Sequence, residues 1–353
     1  MDFSKAKVIL VTDAKQRMYF TGFSSTAGYV VLTEGQTAFV VDSRYYYAAQ
    51  AQLEPKGIKT YEGADYTVLK QCLAEADAKE LGIDFSKTTV AEYAKLQKLG
   101  VKLVDVSGIL DKQMSVKTES EIENVKKACE IAEKAFRETL KIIKVGMTEK
   151  DVATELEYRF KLYGASDKSF DTIVAFGTNS AVPHHETGDR KLKEGMVILM
   201  DFGCIYNGYC SDMTRTFTFG IPTRQFAEAY QAVLAAHKAA YDKIEAGMSC
   251  VDADKIARDV LTSAGYGEYF THSLGHGIGL NIHEYPAVSP KGKGCLFNGM
   301  IYSIEPGVYL NGKFGIRIED TVCMVKGKSQ SFMTVPKELC VLKDGKLAKY
   351  KIK

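Results

Sequence analysis

Paired carboxylates and a cluster of histidines are the residues of this chain whose types and spacing could do chemistry. The uninterrupted apolar run Met196–Met200 marks a strand buried on both faces, and it delivers Asp201 at its end. Asn207-Gly208 reads as a hairpin turn, and the returning segment carries Tyr209, Asp212 and Thr214. Asp201 and Asp212 lie at comparable distances from that turn, so they can face each other across two strands. A bare buried carboxylate is costly, and two facing ones repel unless cations sit between them. Either Asp alone would read as a turn cap; the pair reads as a metal site.

The device recurs near the C-terminal end. Ile301–Ile304 runs into Glu305-Pro306-Gly307, and Phe314–Asp320 reads as the return strand carrying Glu319. Arg317 and Glu319 are two apart and so share a strand face. An Arg beside such a cluster balances its charge and orients its carboxylates; a surface salt bridge is the ordinary fate of Arg-x-Glu. Of the six histidines, His184, His185, His272, His276 and His283 cluster along the chain, while His237 sits apart in a helix and reads as structural. The stretch Thr271–Gly279 is too glycine-rich for a helix interior. It suits a strand or loop in close backbone approach, and it matches no phosphate-loop fingerprint.

Four carboxylates and one imidazole form a hard, oxygen-rich ligand set. It suits Mn²⁺, Fe²⁺, Co²⁺ or Zn²⁺ in a two-metal site better than a thiolate zinc site. Two metals ~4 Å apart can activate a shared water and polarise a carbonyl, which amide hydrolysis requires.

The elements that must hold these residues follow from length and pattern. A chain of 353 residues with 46% hydrophobic and 25% charged residues can build two packed domains. Its net charge of +2 gives no reason to expect nucleic acid or an anionic membrane as partner. The eight cysteines are dispersed, never as Cys-x-x-Cys, which predicts a reduced, cytoplasmic protein. The run Val8–Val11 is too short for a signal-peptide core, and no apolar run approaches the ~18 residues of a membrane span.

Strand patterns at Val8–Val11, Gly28–Leu32, Ala38–Val41, Leu81–Ile83 and Val101–Val106 alternate with helix patterns at Ser43–Leu53, Tyr66–Ala76 and Val90–Leu99. This predicts an α/β N-terminal domain over residues 1–117 with no catalytic cluster. Thr118-Glu119-Ser120-Glu121 is a capping box that opens a helix with apolar spacing through Leu140. The catalytic domain is therefore expected over residues 118–353. Within it, Gly146–Gly164 resembles Gly247–Gly265 at an offset of 101 residues. Each copy is preceded by a long helix, Glu119–Ile143 or Gln225–Glu245, and followed by a segment ending at His184 or His283. Each then offers an acid before a glycine, Asp201 or Glu305, and a second acid, Asp212 or Glu319. Two similar halves would thus each give two carboxylates to one centre.

These residues resemble the "pita-bread" metallopeptidases: Xaa-Pro aminopeptidases, prolidases and methionine aminopeptidases. The matching stretches are Pro183-His184, Met200–Gly203, Ser211–Thr216, His272–His283, Ile304–Gly307 and Arg317–Asp320. The resemblance spans the whole chain, because the Xaa-Pro branch and creatinase also carry an N-terminal domain of this size. It implies an α+β pita-bread catalytic domain with an internal pseudo-twofold repeat. It also implies two divalent metals, Mn²⁺ first, held by Asp201, Asp212, His276, Glu305 and Glu319. Asp212 and Glu319 would bridge them, and Glu305 would also assist deprotonation of the water. His184 would hydrogen-bond the scissile amide, His283 would stabilise developing charge, and His272 would line the pocket beyond the scissile bond. It implies short peptides as substrates and a homodimer. The expected activity is that of an Xaa-Pro aminopeptidase, with prolidase as the alternative. A metal-free creatinase-like hydrolase or a binding module of this fold should lack some of the five ligands. One departure bears on substrate: proline-directed members often carry an Arg soon after the His-Glu pair, where this chain has Ala287, and Lys291 or Lys293 would have to substitute.

Overall fold

The computed structural model describes residues 1–351. It divides into two compact units, Met1–Met114 and the chain from Ser115 onward. In the first, a six-stranded mixed sheet runs in the order Lys59–Glu62, Gln36–Val41, Tyr29–Thr33, Val8–Val11, Glu80–Ile83, Lys102–Asp105. Val8–Val11 shows why: Val8 and Leu10 pack on one face with Leu69, Leu73 and Leu96. Ile9 and Val11 pack on the other with Ala49, Leu53 and Leu110. A fully apolar strand of period two is thus covered by helices on both faces. Two helices absent from the sequence reading, Ala14–Thr21 and Ser107–Ser115, complete the layers. The first is flanked by Asp13 as N-cap and Gly22 in the left-handed conformation. The helix expected from Ser43 begins instead at Tyr46, because Asp42–Tyr45 forms a turn closed by the Asp42 carbonyl.

The second unit repeats one arrangement. Helices Glu119–Leu140 and Glu149–Leu162 pair in the first half, Arg224–Lys243 and Cys250–Ser263 in the second. Thr118–Glu121 and Thr148–Asp151 both form reciprocal capping boxes, and Ser249 caps its helix through the Asp252 amide. Each half then builds three successive antiparallel strands within a five-stranded sheet. These are Ile173–Phe176, Val197–Phe202 and Met213–Thr218 in one, and Gly275–Gly277, Ile301–Ile304 and Asp320–Val325 in the other.

The register sets the acids. Asp201 lies within its strand, opposite Thr214, and not at the strand's end. Asp212 stands two residues before Thr214, on the same face as Asp201. In the second half Ile304 pairs with Asp320, so Glu305 and Glu319 flank that pair directly. The expected return strand Phe314–Asp320 is divided: Phe314–Arg317 pairs with Gly307–Leu310, and a new strand begins at Asp320. The halves are joined where the acids are. Glu319 N donates to Thr214 O (3.1 Å), and Thr321 Oγ1 donates to Asp212 O (2.7 Å). No helix among the described residues is long and apolar enough to cross a membrane.

Candidate active site

The second unit holds an open cavity of about 780 Å³. Its wall includes Asp201, Asp212, His276, Glu305 and Glu319, together with His184, His185, His272, His283 and Arg317. Every site residue expected from sequence therefore reaches one space. His237 does not; it is fully buried in its helix, stacked on Tyr241.

At the floor, ligand atoms of Asp212, His276 and Glu319 lie within 4.8 Å of one another. His276 Nε2 is 3.2 Å from Glu305 Oε1 and 3.5 Å from Asp212 Oδ2. Ser303 ties these together: its Oγ accepts from His276 N (3.1 Å) and donates to Glu305 Oε1 (3.0 Å). Thr214 Oγ1 donates to Glu319 Oε2 at 2.6 Å.

Arg317 acts on a different carboxylate from the one its sequence spacing suggests. Its Nη2 donates to Asp201 Oδ2 (2.5 Å), its Nε to Thr214 Oγ1 (3.0 Å) and its Nη1 to the Tyr309 hydroxyl (2.5 Å). Tyr309 OH also meets His272 Nε2 at 2.9 Å. Tyr309 and Ser303 carry no sequence signal of their own; the fold alone brings them to the site.

The charges show what the site is built for. Burial raises the pKa of Asp201, Asp212 and Glu319, and neighbouring carboxylates add to the rise in each. Glu305 moves the other way: burial pushes it up, but His276, His272 and Arg317 together outweigh that and hold it at about 2. His276 rises, because Glu305, the Gly277 carbonyl and Asp201 together outweigh its burial. His272 and His283 are lowered, chiefly by burial. One guanidinium faces four carboxylates, and Asp201 Oδ1 is buried without a partner. Three buried acids pushed toward their neutral forms, an orphaned carboxylate oxygen and an imidazole among them make a donor set that fits divalent cations.

Residues 123–326 match the model of metallopeptidase family M24, and residues 1–115 match the creatinase/prolidase N-terminal domain. The chain is 35% identical over 344 residues to an Xaa-Pro dipeptidase of Pyrococcus horikoshii, covering 96% of each. A solved Xaa-Pro dipeptidase from Bacillus anthracis superposes with a TM-score of 0.90 at 36% identity, covering 95% of each chain. A solved X-Pro aminopeptidase from Thermotoga maritima superposes with a TM-score of 0.87 at 35% identity, covering 95% of this chain and 97% of that one. This chain belongs to metallopeptidase family M24. It is a peptide hydrolase with a creatinase-type N-terminal domain and a pita-bread catalytic domain.

Proposed function

We propose that this protein is a dinuclear-metal Xaa-Pro peptidase acting on short peptides, with dipeptides as its first substrates. The observation that carries the reading is that four carboxylates and His276 line one cavity together with His184 and His283, the ligand atoms of Asp212, His276 and Glu319 lying within 4.8 Å of one another. Relatives named Xaa-Pro dipeptidase favour the dipeptide over the longer peptides that Ala287 suggests from sequence.

Asp201, Asp212, His276, Glu305 and Glu319 would hold the two metals, which supply an activated water and a polarised carbonyl. Glu305 would accept the water's proton and pass it to the leaving nitrogen. His184 donates a hydrogen bond to the scissile amide, and His283 stabilises charge developing on the carbonyl oxygen. His272, braced by Tyr309, lines the pocket beyond the scissile bond. Arg317 holds Asp201 in place and neutralises part of the floor.

A second reading, removal of one residue from peptides of three or more, rests on the cavity wall. Ala287 lines it and offers no charge for a dipeptide carboxylate; neither Lys291 nor Lys293 lines it, and Arg317 is committed to Asp201, Thr214 and Tyr309. Comparing kcat/KM for Ala-Pro, Ala-Pro-Ala and Ala-Ala-Ala with Mn²⁺ present decides. Preference for Ala-Pro supports the dipeptidase, and preference for Ala-Pro-Ala the aminopeptidase. Equal cleavage of Ala-Ala-Ala removes proline from the description.

A further inference from the structure

Another buried carboxylate stands beside the cavity, outside the metal-binding set. Glu149 opens the helix Glu149–Leu162, one residue after its cap Thr148, and is fully buried. Its Oε1 accepts from Phe176 N (2.7 Å) and Asn179 Nδ2 (2.8 Å). Its Oε2 accepts from His185 Nε2 (2.9 Å) and Gly188 N (3.0 Å). Four donors meet two oxygens, which uses the full accepting capacity of a carboxylate. The helix N-terminus favours negative charge at this position as well.

All four donors come from one loop-forming stretch, residues 176–188, and that stretch carries His184 between two of the anchored residues, Asn179 and His185. The backbone reinforces the attachment: Glu149 N donates to Arg190 O (3.1 Å) and Lys150 N to Gly188 O (3.1 Å). The second half solves the same problem with other residues. The position 101 residues after Glu149 is Cys250, and there Glu284, next to His283, pairs with the buried Lys117. In the second half a half-buried carboxylate within the His283 segment thus pairs outward with a buried cation, whereas in the first half a fully buried carboxylate outside the His184 segment gathers that segment's donors.

We propose that Glu149 is a positioning residue for hydrolysis, fixing the 176–188 stretch so that the His184 imidazole meets the scissile amide, with His185 as a coupled donor. This rests on the role given to His184 above. With Glu149 accepting, the His185 proton is on Nε2. Replacing Glu149 by Gln turns one accepting oxygen into a donor. His185 can change tautomer in response, but the backbone amides of Phe176 and Gly188 cannot, so the stretch shifts. A displacement on the order of 1 Å in a reacting group costs up to roughly 10²-fold in rate.

The test compares His184→Ala, Glu149→Gln, His185→Leu and His185→Gln in the Mn²⁺-loaded full chain, with kcat, KM and bound metal measured for each. Glu149→Gln is expected to lower kcat by about tenfold or more, with KM changed by less than about threefold and metal content unchanged. His185→Leu should lower kcat in the same sense, and His185→Gln, which can still donate to Glu149, should recover most of the loss. If His184→Ala keeps full kcat, the reading of His184 itself is wrong. If His184→Ala is impaired while folded, metal-loaded Glu149→Gln keeps kcat within twofold of the parent, the positioning role is wrong. Should Glu149→Gln not fold, equal parental kcat in His185→Leu and His185→Gln overturns it.

Discussion

Stripping the divalent cations should reverse how the stability of the catalytic unit depends on pH. Without cations, Asp212 and Glu319 have folded pKa values well above their ordinary ones, through burial and mutual repulsion. An acid whose folded pKa is raised favours the folded state when protonated. Its stabilising effect is present at low pH and fades as pH rises toward the folded pKa. His276, also raised, acts in the same direction. His272 and His283 are lowered and act oppositely, but only as pH falls below about 6.5. The window to read therefore opens at pH 6.5 and runs upward. Each proton the cluster retains there gives a slope of about 1.4 kcal/mol per pH unit. For a domain of this size that is roughly 3–6 °C in Tm per pH unit. Mn²⁺ at 100 times each Kd should restore about 2.7 kcal/mol per ion, and its competition with protons should flatten or invert the slope. Differential scanning calorimetry of chelated and Mn²⁺-loaded protein at four pH values measures both effects. A chelated protein whose Tm is flat or rises with pH in this window refutes the account of the cluster's charge, as does a Tm at pH 8 that Mn²⁺ leaves unchanged.

Three further outcomes are expected. Glu305→Gln should abolish turnover and weaken at least one metal site, checked by steady-state assay and plasma metal analysis; full metal loading with parental kcat would exclude Glu305 from both roles. His237 is buried and held at about 4, mainly by burial against the opposing pull of Asp320, so its contribution is intact above pH 6.5 and is lost as pH falls toward 4. His237→Phe should therefore remove about 3 kcal/mol of acid lability between those pH values, read by urea unfolding; an unchanged pH dependence would count against it. Static light scattering should give about twice the chain mass, as expected for a homodimer, and a monomer mass would rule that out.

Much of the local structure was legible in the sequence because it depends on neighbours along the chain. Val8–Val11 declares a two-face-buried strand by composition alone, and Thr118–Glu121 declares a helix start because both partners of a capping box lie within one turn. Asn207-Gly208 declares its hairpin because the turn needs the positive φ that both residues adopt, 48° and 86°. The carboxylates and histidines of the site were visible for a related reason: their types and order along two similar halves limit the chemistry they can do.

Partners remote in sequence were not legible. Arg317 lies two residues from Glu319, yet its guanidinium holds Asp201, 116 residues away; strand periodicity gives a shared face but not which neighbour across the sheet lies closest. Tyr309 meets His272 through the hairpin that divides the expected return strand. Thr321 ties the Asp212 backbone to the opposite half, and Glu149 gathers four donors from a stretch beginning 27 residues later. Sequence alone determined which residues could do chemistry and the elements that carry them, because capping, turn geometry and apolar period are short-range. Only the tertiary structure decided which carboxylate each cation, hydroxyl and amide would satisfy, because burial presses most polar groups to find a partner but leaves the choice to the packing of distant segments.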